Sequence, residues 1–190
     1  MNNNIIFIVL GLVLLCWGYN IYVSVIMKKN KVMEAFSSID VQLKKRYDLI
    51  PNILTMANKF MEHEKGLFEE VTKLRTQAMS LPNDIKNIGQ KLQLDSQIKS
   101  LMGQIMVAVE NYPTLKSDQT MLTAMQTYNE VEEHIAAARR FYNSAVLELN
   151  NTVEIFPASV IAAACGVTKQ EFFQAEEAAR QAVNASDYLK

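Results

Sequence analysis

The sequence predicts an all-α protein in which one N-terminal transmembrane helix continues into an antiparallel bundle of about four helices. The chain of 190 residues contains only 6 Gly and 4 Pro but 10 Met, a composition that favours long helices over strands. An uncharged apolar run lies near the N-terminus, and apolar residues beyond it recur at helical spacing. We therefore assign residues 1–4 to a short tail, 5–27 to the transmembrane helix and 28–190 to the bundle domain.

The apolar run is long enough to cross a membrane. Residues 5–27 contain no charged side chain, and a helix needs about 20 apolar residues to span the hydrocarbon core. A cleavable signal peptide would carry a basic stretch before its apolar core and a small-residue cleavage site, and the sequence shows neither. The run is also apolar on every face, which argues against a core helix of a soluble protein. We expect residues 5–27 to contact the lipid bilayer.

The charges beside this run predict its orientation in the membrane. Lys28, Lys29 and Lys31 follow the run directly, and only the α-amino group precedes it. The positive-inside rule then places the N-terminus outside and the C-terminal domain in the cytoplasm of a single-pass cell-membrane protein. The two cysteines, Cys16 and Cys165, lie in separate apolar stretches, so no disulfide between them is expected, in agreement with a reducing compartment.

The first apolar stripes beyond the span predict two helices. One stripe covers residues 32–50 and continues the membrane helix. Pro51 interrupts it, and either a kink or a short break with Pro51 in the first turn of the next helix is compatible with the sequence. A second stripe covers residues 54–78 and ends at the turn formed by residues 80–84, which contains polar side chains able to cap the following helix.

Two further stripes and a short apolar segment complete the predicted bundle. The third stripe, residues 85–109, is irregular in its first part, so its start is expected to be loose. The fourth stripe, residues 121–156, alternates steps of three and four, which is typical of a bundle helix. After an apolar segment, Gly166 is a plausible helix stop. The capping box at residues 168–171 predicts a last helix that runs through Ala179.

The sequence contains no recognisable constellation for catalysis, cofactor binding or metal binding. His63 and His134 each stand beside glutamates on what we expect to be charged helix faces, and neither has a second histidine at the spacing of a zinc-binding helix. No Gly-rich phosphate loop, G-x-S-x-G elbow or C-x-x-C pair is present. The net charge of −1 and the pI of about 6.2 also give no reason to expect a nucleic-acid partner. We therefore predict a non-enzymatic protein without a cofactor.

Residues 37–52, the polar block, are richer in polar side chains than a bundle helix requires. Asp40 precedes Lys44, and Gln42 precedes Arg46, by four residues, so both pairs lie along one side of a helix. Arg46 falls close to the apolar seam, where it would need carboxylate partners from other helices. The candidates for such a network on the fourth stripe are Glu132, Glu133 and Arg139. The block either fixes register within the bundle or forms a binding surface.

The polar block also carries a family resemblance. The residues concerned are Tyr19-Asn20, the run FSSIDVQLKKRYDLIPNIL at 36–54, His63-Glu64, Arg75, YPTLK at 112–116, ARRFYN at 138–143 and Phe156-Pro157. This ordered set resembles the bacterial LemA family and covers the chain from the span to Phe172-Phe173. Phe36 stands where the family usually has Trp, and Lys45 where it often has a second Arg. Both replacements keep the apolar or basic character.

The resemblance implies a single N-terminal anchor and an antiparallel helical bundle, with no established activity and no catalytic residues to transfer. Family members often occur beside HtpX-type metalloproteases or other membrane proteins. The family's motif positions are therefore candidates for an interaction surface or a structural polar network. From them we select Asp40, Gln42, Arg46, Asp48, Asn52, Glu64, Arg75, Arg139 and Asn143, and the same motifs include Pro51, Tyr142 and Asn150.

Three hypotheses about function follow. The favoured one is a membrane-anchored scaffold or adaptor that acts through protein–protein interaction at the cell membrane. Its partner would be an HtpX-type membrane protease, another envelope protein or a second copy of the chain. The 10 Met residues support it, since methionine adapts to varied partners. The alternatives are a small-molecule or lipid sensor and, third, a metal-binding bundle.

Overall fold

The computed structural model describes residues 3–85 and 87–173, and every regular element within these ranges is helical. The helices are α1 (Asn3–Ala57), α2 (Lys65–Ser80), α3 (Ile88–Val109), α4 (Pro113–Lys116), α5 (Gln119–Glu154) and α6 (Ala158–Ala164). Four of them are long. This confirms the predicted all-α class with a long apolar N-terminal helix.

Helix α1 runs without interruption through Pro51 and ends at Ala57. The first turn of a new helix, one of the alternatives left open at Pro51, does not occur there. Pro51 is exposed, whereas Ile50 and Ile53 beside it are fully buried. Burial of these neighbours offsets the one backbone hydrogen bond that the proline ring removes. The Pro51 carbonyl in turn accepts a hydrogen bond of 2.7 Å from the Thr55 hydroxyl.

The second predicted stripe, residues 54–78, is not one helix. It is split by the connection between α1 and α2, which covers residues 58–64. Backbone amides of Phe60 and Met61 turn back to the Ala57 carbonyl at 3.0 Å, and the Met61 side chain is fully buried. Met61 is buried although it lies in a loop, and its position in the sequence also fits the spacing of a continuous helix. The apolar spacing therefore did not reveal the break between α1 and α2.

The described residues form two compact units, and the first contains residues 3–41 and Ile135–Phe172. Here α1 and α5 lie side by side. The Lys28 ammonium donates a hydrogen bond of 2.7 Å to the Thr152 hydroxyl, and the Lys31 ammonium pairs with the Glu148 carboxylate at 3.0 Å. Because a higher residue number on one helix pairs with a lower number on the other, the two helices are antiparallel.

The end of α6 follows the prediction, but the next segment does not. Gly166 has a φ of +65°, and the amide of Val167 bonds to the Ala162 carbonyl at 2.9 Å, which is the geometry of a glycine helix stop. The capping-box residues 168–171 are not helical. Instead, the Asn150 side chain holds both the amide and the carbonyl of Gln170 at 2.9 Å. The predicted helix through Ala179 lies outside the described residues.

The fourth stripe is confirmed over most of its length as α5, but its last position is wrong. The Asp118 carboxylate accepts a hydrogen bond of 2.9 Å from the Met121 amide at the helix start, as a cap there requires. Helix α5 ends at Glu154, and Phe156, which the stripe predicted as a core position, is 76 % exposed.

Of the described residues, the second unit contains Gln42–His134, apart from residue 86, and Phe173. Its core is formed by the second part of α1, by α2, α3 and α4, and by the first part of α5. The buried positions of α3 are Ile88, Lys91, Asp95, Ile98, Met102, Ile105 and Val109. These positions alternate steps of three and four without a gap. The start of α3 is therefore regular, contrary to our expectation, because two charged residues occupy seam positions.

Candidate functional site

The candidate site centres on Arg46, whose side chain is completely buried on α1. One guanidinium nitrogen donates a hydrogen bond of 2.7 Å to the Asp95 carboxylate on α3. The other terminal nitrogen forms an ion pair with Glu132 on α5. The guanidinium carbon lies 5.3 Å from the centre of the Tyr128 ring, within the range of a cation–π interaction. A single cation therefore joins three helices of the second unit.

A second cation completes this group. The Lys99 ammonium on α3 lies 2.8 Å from the Glu132 carboxylate. The group thus contains two cations and two carboxylates, whose formal charges cancel. We call these four residues, Arg46, Asp95, Lys99 and Glu132, the Arg46 cluster. The Asp95 side chain is 1 % exposed and that of Glu132 is 29 % exposed. Burial of charge is costly unless each ion is paired and hydrogen-bonded. Arg46 meets this condition in part: it is paired with two carboxylates and hydrogen-bonded to Asp95, whereas its Nε has no hydrogen-bond partner among the described residues.

Helical register explains why these side chains meet. Along α1, the buried residues Ile39, Leu43, Arg46, Ile50, Ile53 and Ala57 alternate steps of four and three. Arg46 and Asp95 thus each replace an apolar residue in the seam of its own helix. In a bundle, seam residues of neighbouring helices face one another, which brings the two opposite charges together in the core.

Tyr128 lies against this cluster and is itself 3 % exposed. Burial raises the pKa of its hydroxyl to about 12, the charge of Arg46 acts in the opposite direction, and Asp95 adds to the rise. Among the described residues, no hydrogen-bond partner contacts this hydroxyl. The neutral phenol is therefore the stable form in the folded protein.

Two other predicted residues brace α2 and the connection before it. The Nε of Arg75 on α2 donates a hydrogen bond of 2.6 Å to the backbone carbonyl of Tyr47 on α1. The hydroxyl of Tyr112, ahead of α4, donates to the carboxylate of Glu64 at 3.1 Å. Partial burial, the hydrogen bond to Glu64 and its negative charge together raise the pKa of Tyr112. The first contact holds α2 against α1, and the second holds the connection before α2 against the segment that precedes α4.

The other predicted residues are spread over both units. Asp48 and Asn52 are exposed on α1. Gln42 is half-buried, and its side-chain oxygen has no hydrogen-bond partner within the part of the chain described. The predicted residues Asp40, Arg139 and Asn143 are half-buried and lie in the first unit. Arg46 is thus the one member of the predicted set that enters the Arg46 cluster. Of the partner candidates considered on the fourth stripe, Glu132 contacts it.

A groove of about 800 Å³ lies between the end of α1 and α2 in the second unit. We call it the α1–α2 groove. It is lined by Leu54, Thr55, Asn58, Lys65, Phe68, Glu69, Thr72, Lys73, Thr76 and Gln77. Leu54 and Phe68 are buried, and the other lining residues are exposed polar or charged side chains. Asp48 and Asn52 precede Thr55 on α1 at helical spacing, so their exposed face leads to the rim of the groove.

The histidines do not form part of either site. His63 is exposed in the connection between α1 and α2, not on a helix face as expected, while His134 is exposed on α5. Over residues 3–85 and 87–173, no group of three or more His, Cys, Asp or Glu side chains is arranged to hold a metal ion. The candidate site consists of the buried Arg46 cluster and the exposed groove.

The sequence analysis missed Asp95, Lys99, Tyr128 and Tyr112 as members of these contacts. The signal for Asp95 was present in the third stripe. With Lys91 and Asp95 accepted as seam positions, the spacing from Ile88 to Val109 is regular. An acidic residue on one seam and an arginine on another predict a buried pair, because neither charge is stable in the core alone. Tyr112 gives no comparable signal, since its partner lies in a loop.

Comparison with known proteins places this architecture among related chains. Residues 35–186 match the model of the LemA family. The chain is 24% identical over 164 residues to the magnetosome proteins MamQ 1 and MamQ 2 of Paramagnetospirillum magneticum, and each match covers 75% of this chain and 60% of the relative. It is also 24% identical over 159 residues to the protein LemA of Metamycoplasma hominis, covering 84% of this chain and 71% of that protein.

Removal of the Asp95 carboxylate should destabilise the protein strongly. We expect Asp95→Leu to lower the free energy of unfolding by about 3–5 kcal/mol, since it leaves the buried Arg46 without its hydrogen-bonded counter-ion. Asp48→Leu, an exposed control on α1, should change it by about 0.5 kcal/mol or less. Denaturant unfolding in detergent micelles measures both. The double variant Arg46→Leu, Asp95→Leu should lose less than Asp95→Leu alone, and an equal or larger loss would contradict the pairing.

Stability should fall at alkaline pH partly through Tyr128. The unfolded phenol ionises near pH 10, whereas the folded one ionises near 12, so the folded state retains the proton longer. Its contribution is complete below pH 10 and declines by about 2 kcal/mol as the pH rises to 12. Tyr128→Phe should therefore lose stability less steeply over this interval than the wild type. Parallel stability–pH curves for the two proteins would show that Tyr128 is not the group responsible.

Proposed function

The chain belongs to the LemA family, and we propose that it is a non-enzymatic, membrane-anchored scaffold or adaptor that binds another protein through the α1–α2 groove. The observation that carries this proposal is the composition of the groove. Its two buried apolar residues, Leu54 and Phe68, form a small floor beneath a rim of threonine, amide and charged side chains. Such an apolar centre with a polar rim is typical of protein–protein interfaces.

The same composition favours a protein partner over a small ligand. Pockets for small molecules usually enclose most of the ligand, whereas this groove is open to solvent and most of the side chains that line it are exposed. Lys65, Glu69 and Lys73 lie at successive turns of α2 and can pair with charges on a partner. A small-molecule or lipid sensor remains the alternative hypothesis.

The anchor of the proposed scaffold is α1. Within it, an 18-residue window is long and apolar enough to cross a membrane, and none of that window is buried in the protein. We further propose that the C-terminal domain is cytoplasmic, because Lys28, Lys29 and Lys31 follow the span. An HtpX-type membrane protease, another envelope protein or a second copy of the chain would meet the scaffold at the inner membrane surface.

Site-specific photo-crosslinking tests the groove. We expect benzoylphenylalanine in place of Thr76, in the groove, to form a protein adduct in intact cells. The same residue in place of Thr123 serves as a matched control. Both threonines are exposed on helices of the second unit, and each hydroxyl bonds to a backbone carbonyl four residues earlier at 2.8 Å. Mass spectrometry of the adduct identifies the partner, including a second copy of the chain.

Charge reversal tests whether the adduct depends on the groove. Lys73→Glu should reduce the Thr76 adduct severalfold, while Lys44→Glu, an exposed lysine of the polar block outside the groove, should leave it unchanged. An adduct of equal yield at Thr76 and Thr123, or none at Thr76, argues against a scaffold that acts through this groove.

A reporter fused after Lys190 tests the proposed orientation. We expect alkaline phosphatase at this position to be inactive and green fluorescent protein to be fluorescent, since the lysines after the span hold the C-terminal side in the cytoplasm. Replacement of Lys28, Lys29 and Lys31 by Gln should weaken this preference. An active phosphatase fusion to the unmodified chain would reverse the orientation.

A further inference from the structure

Large apolar side chains are exposed where α5 meets α6. Ile155 is 61 %, Phe156 is 76 % and Val160 is 61 % exposed. We call these three residues the α5–α6 corner. Single exposed apolar residues are common on protein surfaces, but three large ones within one helix junction form a patch that favours an apolar contact.

The pairing of α1 with α5 places this corner relative to the predicted span. Lys28 bonds to Thr152, and Lys31 pairs with Glu148 four residues earlier on α5. The two helices are antiparallel, so the residues that follow Thr152 lie beside the residues that precede Lys28. Ile155 and Phe156 are therefore level with approximately the last turn of the span, residues 23–27.

Burial along α1 agrees with this placement. The large apolar residues from Ile5 to Tyr22 are exposed or half-buried, whereas Val25 is completely buried. The packed part of the first unit thus already covers α1 at Val25, inside the predicted span. The packed region of the first unit therefore begins before Lys28, the first of the lysines that follow the span. Any protein surface at this level faces the boundary between the hydrocarbon core and the headgroups.

We propose that the α5–α6 corner inserts its apolar side chains into the interfacial layer of the same bilayer that α1 crosses. The proposal rests on α1 being the membrane span, and it does not depend on which side of the membrane carries the domain. Apolar and aromatic side chains at this depth are stabilised by partial burial among acyl chains. Lys29 is exposed in this unit and can lie against anionic headgroups. Lys169 pairs with Glu154 beside the corner, so that carboxylate is not left as an uncompensated negative charge near the membrane.

The bilayer is favoured over a protein as the occupant because the corner is continuous with an existing lipid contact. If α1 is the span, its exposed apolar face contacts lipid up to the level of Tyr22. The corner lies beside α1, about one turn beyond that level. A protein partner would have to enter the lipid boundary to reach Phe156. The insertion would hold the first unit against the membrane at a second point besides the span.

Tryptophan quenching in lipid nanodiscs tests the insertion on the full chain. Trp17 is the one tryptophan of the sequence, so Trp17→Phe gives a silent background for Phe156→Trp and for the matched control Phe141→Trp. Phe141 is a 42 % exposed aromatic residue on α5, about 20 Å from the end of the helix at 1.5 Å per residue. Bilayers containing lipids brominated near the top of the acyl chains supply the quencher.

We expect about a twofold loss of emission for Phe156→Trp in brominated relative to ordinary bilayers and little loss for Phe141→Trp. The wild-type Trp17, inside the span, should be quenched in the same bilayers. Unquenched emission from Phe156→Trp beside a quenched Trp17 overturns the insertion while leaving the span intact. Equal quenching of Phe141→Trp also overturns it, because contact would not be specific to the corner. An unquenched Trp17 removes the premise.

Discussion

The charge of Arg46 constrains how three helices of the second unit pack against one another. A guanidinium that is completely buried on α1 costs several kcal/mol to desolvate unless carboxylates compensate it. The compensation comes from Asp95 on α3 and Glu132 on α5. A shift of one helix by a single residue would separate Arg46 from Asp95 or Glu132. A buried charge would then remain without its counter-ion. The cluster therefore specifies register where apolar side chains alone would permit alternatives.

The surface of the second unit follows from this register. With Arg46 directed into the core, Asp48 and Asn52 are exposed on α1. The hydrogen bond from Arg75 to the Tyr47 carbonyl sets α2 against α1, and the contact between Tyr112 and Glu64 holds the connection between them. The α1–α2 groove lies between elements that these contacts position. The residues selected from the resemblance thus fall into two groups, since Arg46 and Arg75 make contacts between helices while Asp48 and Asn52 are exposed.

One helix combines two physically different environments. The N-terminal part of α1 exposes its large apolar side chains over a length that is sufficient to cross a membrane, whereas from Val25 onward it carries an apolar seam buried in protein. In the first unit, the pairs of Lys28 with Thr152 and of Lys31 with Glu148 follow shortly after this change.

Local patterns in the sequence determined the helical class, the candidate span, the turn after α2 and the glycine stop after α6, since each depends on neighbouring residues. Tertiary structure decided the rest. Met61 completes the core from a loop, so the break between α1 and α2 was invisible to helical spacing. Asp95 is stable on its seam only because Arg46 faces it from a residue far away in the chain. Periodicity identifies which face of a helix is buried, but only packing decides which charges meet there.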